Sequence, residues 1–340
     1  PYAGRPAFGA RNSAIAGDVL LDQVEVTCRD VVPAAAEPLV VTALDRVLND
    51  KQHPKNEATV TFPDDTSMYG RIILTLRLDK PETRFDPWDR SAHVFLFDDD
   101  GEKHEILRYI TPYHRGHVWQ VDVSAFRPLL CGEKKLLQSC GTQGEGWVVT
   151  VRFDFYPGPA ERYAYRLERL WSGKCILGNP EKPTADFYDT RSIEVGEACE
   201  TAEVRTVVTG HGMSPNSNNA AEFMPIDRTL TVNGERHLDK LWKDDNYLNP
   251  CRPQGGTWKY DRAGWAPGDV VRPWVVDVSA AARSGELTLD YELAPYVNEN
   301  RGKTWEPFHL VEGYAVFYRT SPPPAAAGER AEPAEGDSGR

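Results

Sequence analysis

Apolar residues along this chain recur at every second position in short runs, and that period belongs to β-strands. Ala58-Thr59-Val60-Thr61-Phe62 alternates cleanly. Arg71 to Leu78, Val94 to Phe97, Glu105 to Ile110, Val118 to Val123 and Trp147 to Phe155 follow, with turn residues between them. Asp98-Asp99-Asp100-Gly101 ends one of these runs. Nothing sustains the period of about 3.6 residues that marks an amphipathic helix. Short strands spaced in this way predict an all-β sandwich or barrel.

The pattern then repeats. Trp119-Gln120-Val121-Asp122-Val123-Ser124-Ala125 returns as Trp274-Val275-Val276-Asp277-Val278-Ser279-Ala280. A short connection and a Gly-Glu follow each copy, Gly132-Glu133 and Gly285-Glu286, and then a strand. The turn Asp100-Gly101-Glu102 returns as Asn233-Gly234-Glu235, a few residues after Asp89-Arg90 and Asp227-Arg228 respectively. Three correspondences in one order predict two copies of one antiparallel β-sandwich, each long enough for a jelly roll of about eight strands. The expected organisation is a lead-in over 1–55, a jelly roll over 56–160, a second over 165–320, and a tail over 321–340. The tail is rich in Pro, Ala, Glu and Gly. It holds too little apolar surface to offset ordering entropy and is expected to be disordered.

Composition narrows the function. A net charge of -12 argues against a sequence-independent nucleic-acid binder, which needs a cationic surface. No apolar run approaches the roughly 18 residues of a membrane span. No basic, apolar, small-residue signal opens the chain, which fits either a cytosolic protein or a mature form. The six cysteines are irregularly spaced, with no Cys-x-x-Cys, so a zinc framework is not expected.

Candidate chemistry centres on Phe85-Asp86-Pro87-Trp88-Asp89-Arg90, just ahead of the Val94 strand. Asp89 sits beside a large ring and a cation at a strand entrance. Such a place suits a catalytic carboxylate, because apolar contact raises a carboxyl pKa and a cation lowers it. It equally suits an ion pair that pins the strand. Glu222 precedes its own repeat's strand much as Asp89 does, and would meet it at a seam if the sandwiches pack side by side. An exposed loop acid is the plainer alternative. Gln254 to Gly268 is dense in Gly, Trp and Arg, and reads as a binding loop or a stapled surface loop. His211, between two glycines, reads as a loop histidine.

Taken in order, Trp88-Asp89-Arg90, Ile110-Thr111-Pro112-Tyr113, the Asp-Val-Ser strand, Gly210-His211-Gly212, Ala221-Glu222-Phe223, Gly256-Thr257-Trp258 and Asp261-Arg262-Ala263-Gly264-Trp265-Ala266-Pro267-Gly268 closely resemble the peptide:N-glycosidase F family. The resemblance covers roughly residues 58–320. It implies two side-by-side antiparallel jelly rolls with a site in the cleft between them. It also implies a glycoamidase that cuts between an asparagine side chain and the first N-acetylglucosamine of an N-linked glycan. Asp89 falls on the family's essential aspartate and Glu222 on its second-domain glutamate. Arg90, Arg262, Trp265, Trp88, His211 and Phe223 fall on substrate-binding positions. No metal and no cofactor is implied. The implied partners are N-linked glycans of glycoproteins or glycopeptides, with no nucleic acid and no membrane, for a monomer that is secreted or periplasmic.

The chain also departs from the family. Cys140 stands where the family has a further glutamate, and Thr142 where it has a tryptophan. Glu145 lies a few residues away and would substitute only if its loop shifts. Three of the cysteine pairs that the resemblance implies are replaced together, by Asn246 and Ala266, by Ala220 and Met224, and by Lys80 and Phe85. Two rivals remain at this stage. One is a glycan-binding protein that has lost its chemistry at Cys140. The other is a copper monooxygenase built on His114, His117, His211 and Met213, none of which has a strong metal spacing.

Overall fold

The structure, a computed structural model, describes residues 37–213, 220–299, 301 and 306–322. The expected disordered tail lies outside the described residues from 323 onward, as do residues 1–36. The described residues form one compact unit.

Among the described residues it contains sixteen strands. The first eight are β1 (Leu39–Asn49), β2 (Lys55–Thr61), β3 (Tyr69–Asp79), β4 (Ser91–Phe97), β5 (Lys103–Ile110), β6 (His117–Asp122), β7 (Glu133–Cys140) and β8 (Trp147–Pro157). The second eight are β9 (Tyr163–Ile176), β10 (Arg191–Glu194), β11 (Thr201–His211), β12 (Ile226–Val232), β13 (Glu235–Leu241), β14 (Trp274–Asp277), β15 (Glu286–Leu293) and β16 (Phe308–Arg319). The sheets of the first half run β1-β8-β3-β6 and β2-β7-β4-β5. Those of the second run β9-β16-β11-β14 and β10-β15-β12-β13. Strand for strand the two orders are the same, which is the repeat read in the sequence. The fold is all-β, two antiparallel jelly-roll sandwiches. The paired turns close equivalent hairpins, β4–β5 and β12–β13, with Asn233 in the left-handed region at φ 48°.

The segment expected as a lead-in, with its apolar stretch at Leu39-Val40-Val41, carries an edge strand over 39–49, β1, paired with β8 from Leu39↔Phe155 to Asn49↔Trp147. Two register shifts interrupt that ladder. They break the alternation that would have announced the strand, since a bulge puts successive residues out of phase with the pleat.

Each sandwich closes on its own core. On β8, Trp147, Val149, Val151, Phe153 and Phe155 are all 0% exposed and point inward at every second position. Each such side chain contributes about 1.5–3 kcal/mol by leaving water. The strand β16 serves both cores. Val311, Ala315 and Phe317 enter the second core, while Tyr314, Val316 and Tyr318 enter the first. The two sandwiches therefore share a wall.

Backbone groups seal the seam. Strand β5 is the edge of its sheet. Its Ile110 N–H donates to the Asp269 carbonyl at 2.9 Å. Its carbonyls at Arg108 and Ile110 accept from the N–H groups of Val271 and Gly268 at 2.9 and 3.0 Å. A covered edge offers no template for aggregation. Beneath it the Arg108 guanidinium is fully buried. It donates to both Glu105 oxygens, to Thr209 Oγ1 at 3.1 Å and to the Leu310 carbonyl at 2.6 Å. Burial pushes the Glu105 carboxyl up, but Arg108 and His93 outweigh it and hold it down to about 2. Glu312, near by, goes the other way. Burial lifts it to about 7 against hydrogen bonds from Tyr314 and Ser172, and Glu105 adds to the rise.

Two outcomes are expected. Arg108→Ala strands Glu105 as a buried charge and should cost about 3–5 kcal/mol, read from denaturant unfolding at pH 7. Glu312 keeps its proton when folded up to about pH 7, whereas the unfolded carboxyl loses it near an ordinary value of about 4.3. The unfolded state then binds fewer protons over that window, so Glu312 makes stability fall as pH rises through it. Glu312→Gln should abolish that part of the fall, seen by comparing unfolding midpoints at pH 5 and pH 8.

Candidate active site at the seam

Residues 86–90 lead into β4 and are pinned from three sides. The Asp86 N–H donates to the Gly146 carbonyl, and its own carbonyl accepts from His114 N–H, both at 3.2 Å. Thr111 accepts from the Arg90 N–H on its Oγ1 at 2.8 Å and donates its own N–H to the Arg90 carbonyl at 3.0 Å. The Asp86 carboxylate is 0% exposed. It accepts from Trp88 N–H at 2.8 Å, from Arg90 Nε at 3.3 Å, and from Thr142 Oγ1. Asp89 lies between two residues held this way. Trp88, by contrast, is 58% exposed, a free aromatic face beside the carboxylate.

The second half brings a counterpart. Glu222 precedes β12, the strand equivalent to β4. Its N–H donates to the Gly212 carbonyl and its carbonyl accepts from Ala263 N–H, both at 2.9 Å. Arg262 is 1% exposed and its guanidinium is fully engaged. Nε donates to Glu222 Oε1 at 3.1 Å, Nη1 to the Thr257 and Tyr260 carbonyls at 2.9 and 2.8 Å, and Nη2 to Thr257 Oγ1 at 2.6 Å. The same guanidinium carbon lies 5.0 Å from the Phe223 ring centre and 4.8 Å from that of Trp265, within cation–π range. Trp265 is fixed in turn by its Nε1–H to the Gly210 carbonyl at 2.7 Å.

Tyr113 joins the halves. Its hydroxyl lies 3.2 Å from Thr257 Oγ1. Burial pushes the phenol up to about 12, the Thr257 hydrogen bond opposes this, and Asp89 adds to the rise. The ring needs the glycine at 256: a Cβ there would sit 2.6 Å from its Cζ, and φ is +66°. Burial raises the Glu222 carboxyl, Arg262 draws it down, and the charge of Asp89 raises it further. Glu222 and Tyr113 thus both feel the charge of Asp89, and Thr257 lies within hydrogen-bond distance of both Tyr113 and Arg262.

Not every residue singled out in the sequence points there. The Arg90 guanidinium turns to Asp86 rather than to Glu222. Cys140, at the end of β7, is 1% exposed. Burial pushes its thiol up to about 12, with Asp86 adding to the rise and Arg90 opposing it. Glu145 is engaged by Arg84 at 3.3 Å. His211 is not a loop histidine. It ends β11, its ring stacks with Trp265 at 5.5 Å and Phe308 at 5.3 Å, and its Nε2 lies 2.7 Å from Thr209 Oγ1. Burial, with Arg108 next, drives its pKa down to about 3, so the ring is neutral.

Asp86 and Tyr113 stood in quoted stretches without being assigned a role. An Asp two residues ahead of a Trp-Asp-Arg is a turn-former whose carboxylate accepts backbone N–H groups, and that signal was available. Ala220 and Met224 both enter the second core, and the buried Asn246 donates to the Tyr260 carbonyl at 2.6 Å. The five described cysteines are free thiols. Among the described residues, three metal-ligating side chains gather at Asp98, Glu102 and His104, and not at His114, His117 or His211. No helix among them is long and apolar enough to cross a membrane.

Comparison with known proteins agrees with this geometry. Residues 183–311 match the family model described as "Peptide-N-glycosidase F, C terminal". The chain is 28% identical over 314 residues to the peptide-N(4)-(N-acetyl-beta-D-glucosaminyl)asparagine amidase F of Elizabethkingia miricola, covering 86% of this chain and 88% of that protein. Its fold matches the structure of PNGase F, a glycosylasparaginase from Flavobacterium meningosepticum, with a TM-score of 0.75 and 24% identity over 84% of this chain and 97% of that one. PNGF-II is similar in fold at a TM-score of 0.63 and 13% identity, over 83% of this chain and 65% of that one. With the repeat read in the sequence, these likenesses show a chain similar to peptide:N-glycosidase F in fold and, more distantly, in sequence.

Proposed function

We propose that this protein is a glycoamidase that hydrolyses the amide between asparagine and N-acetylglucosamine in N-linked glycopeptides and glycoproteins. The observation that carries the reading is that Glu222 of the second repeat, held by Arg262, feels the charge of Asp89 from the first. The relative in Elizabethkingia miricola is named for this activity.

In this reading Asp89 takes a proton from water as the oxygen attacks the amide carbonyl, and returns it to the amide nitrogen as the C–N bond breaks, releasing the glycosylamine and leaving aspartate. Negative charge develops on the carbonyl oxygen and needs a fixed donor. The Tyr113 hydroxyl, whose pKa burial and Asp89 raise, is the donor we assign to it. Arg262 makes four hydrogen bonds within the protein, so its part is to hold Glu222 and Thr257 still rather than to reach for substrate. Glu222, with its pKa raised, positions the water or a sugar hydroxyl. Trp88 offers the exposed ring on which a pyranose stacks. Arg90 and Trp265 complete the wall, and Phe223 and His211 support it from behind. The catalytic unit comprises both jelly rolls, with β1 added to the first. It acts as a monomer in a secreted or periplasmic setting, where glycoproteins are met.

Asp89→Asn should cut glycan release by roughly 10²–10⁴-fold with the fold intact, because an amide keeps the shape but cannot accept water's proton. The assay is mass spectrometry of a defined glycopeptide, in which asparagine becomes aspartate with a gain of about 1 Da. Glu222→Gln should cost less. If the wild type releases no glycan yet binds the glycopeptide, the glycan-binding reading replaces this one.

Cys140→Glu puts a carboxylate into a buried site already facing Asp86. Such a group pays desolvation beside a like charge. The variant should melt at a lower temperature than wild type without faster turnover, and a rise in turnover would show that the site lacks a carboxylate it needs.

A further inference from the structure

Asp86 accepts more hydrogen bonds than the structure of one loop requires. Its two oxygens take the Trp88 N–H, the Thr142 hydroxyl, and Arg90 through both Nε at 3.3 Å and Nη2 at 3.5 Å. Its backbone meanwhile joins the loops at His114 and Gly146. Gly144 packs so close that a Cβ there would lie 3.2 Å from Asp86 Oδ2. Three segments of the first sandwich, residues 86–90, 111–114 and 142–146, thus meet at Asp86, the first and last at its carboxylate and the middle one at its backbone carbonyl. Three of its four side-chain bonds go to the residues on either side of Asp89. A carboxylate with this many donors is held in one orientation.

We propose that Asp86 is a positioning residue for the hydrolysis, fixing the Trp88 backbone and the Arg90 guanidinium so that Asp89, between them, faces the seam. The inference rests on the glycoamidase reading. Asp86 does not touch the reacting atoms. It acts through its two neighbours. Arg90 remains partly exposed, with 23% of its side chain open to solvent, so its outer nitrogens can meet a polar group of the sugar or the amide while Asp86 holds the inner ones. Cys140 fits this picture. A neutral thiol beside Asp86 leaves the Arg90 charge answered by Asp86.

The test uses the full chain with Asp86→Asn, Thr142→Val and wild type. Asparagine keeps the size of the side chain and an oxygen for the Trp88 N–H, but loses the charge that orients Arg90. We expect kcat/KM for a glycopeptide to fall by about 10²-fold, the cost of a catalytic group displaced by about 1 Å. Thr142→Val removes one donor and should lose less than about ten-fold. A purely structural role would leave the pH profile where it was. Here the acidic limb of kcat/KM should move to lower pH in Asp86→Asn, because Arg90 without its counter-ion favours the ionised form of Asp89, which otherwise faces Tyr113 and Glu222. A third readout needs no turnover: the Arg90 Nε–H signal in ¹⁵N NMR, assigned with Arg90→Lys, should be sharp in wild type and broadened in Asp86→Asn. If wild type is active and Asp86→Asn changes neither kcat/KM nor the acidic limb, the proposal is overturned and the glycoamidase reading stands. If wild type releases nothing, that reading falls and the role in hydrolysis with it, while an unchanged Arg90 signal would separately show that Asp86 does not anchor the guanidinium.

Discussion

The molecule depends on a wall used from both sides. Strand β16 alternates its side chains between two cores, so neither sandwich completes its interior without the other. Sheet alternation ordinarily separates an inner face from a wet one. Here both faces are inner. The consequence is that β5, an edge in its own sheet, lies against residues 268–271 of the other half and has its backbone groups satisfied there. Any site at this junction inherits a rigid frame on both sides.

Arg108 gives that junction its direction. Replacing a buried ion pair by matched apolar side chains is often neutral or even stabilising, so the pair is a poor source of net stability. Its value lies in geometry. A guanidinium presents a fixed fork of donors, and here they reach Glu105 on one sandwich and Thr209 and the Leu310 carbonyl on the other. Sliding or rotating one sandwich on the other would leave buried donors unpaired. That penalty fixes β5 against β11 and β16 of the second sandwich.

The site itself is a division of labour between fixed and exposed groups. Arg262 is fully spent inside the protein, yet it positions Glu222, Thr257 and the rings of Phe223 and Trp265. Asp86 does the same on the opposite side for Trp88 and Arg90. Between these two buried anchors lie the groups open to a ligand, with the Trp88 ring the most exposed among them. Placing the charged groups on anchored loops at strand entrances avoids reorganisation when charge develops in the reaction.

Much of this was legible in one dimension. The period of two along Arg71 to Leu78 and Trp147 to Phe155 determined the strands, since a pleated backbone leaves no other way to bury those side chains. The repeated Trp-x-Val-Asp-Val-Ser-Ala determined that there are two sandwiches of one kind. Asp89 and Glu222 were found because each stands in the same place relative to equivalent strands. Strand β1 was hidden, because bulges at Thr42 to Val47 erase the alternation that identifies a strand. Arg108 and Glu105 read as ordinary charged residues in a strand, since only the second sandwich makes their surroundings dry. Tyr113 and Asp86 were visible as letters but not as parts, and Cys140 gave no sign of its depth. Which groups share a hydrogen bond across 101 or 202 residues, as Arg108 does with Thr209 and Leu310, is a property of packing. Local sequence sets the period and the turns, and only the closure of the two sandwiches on each other decides which charges are buried and whom they meet.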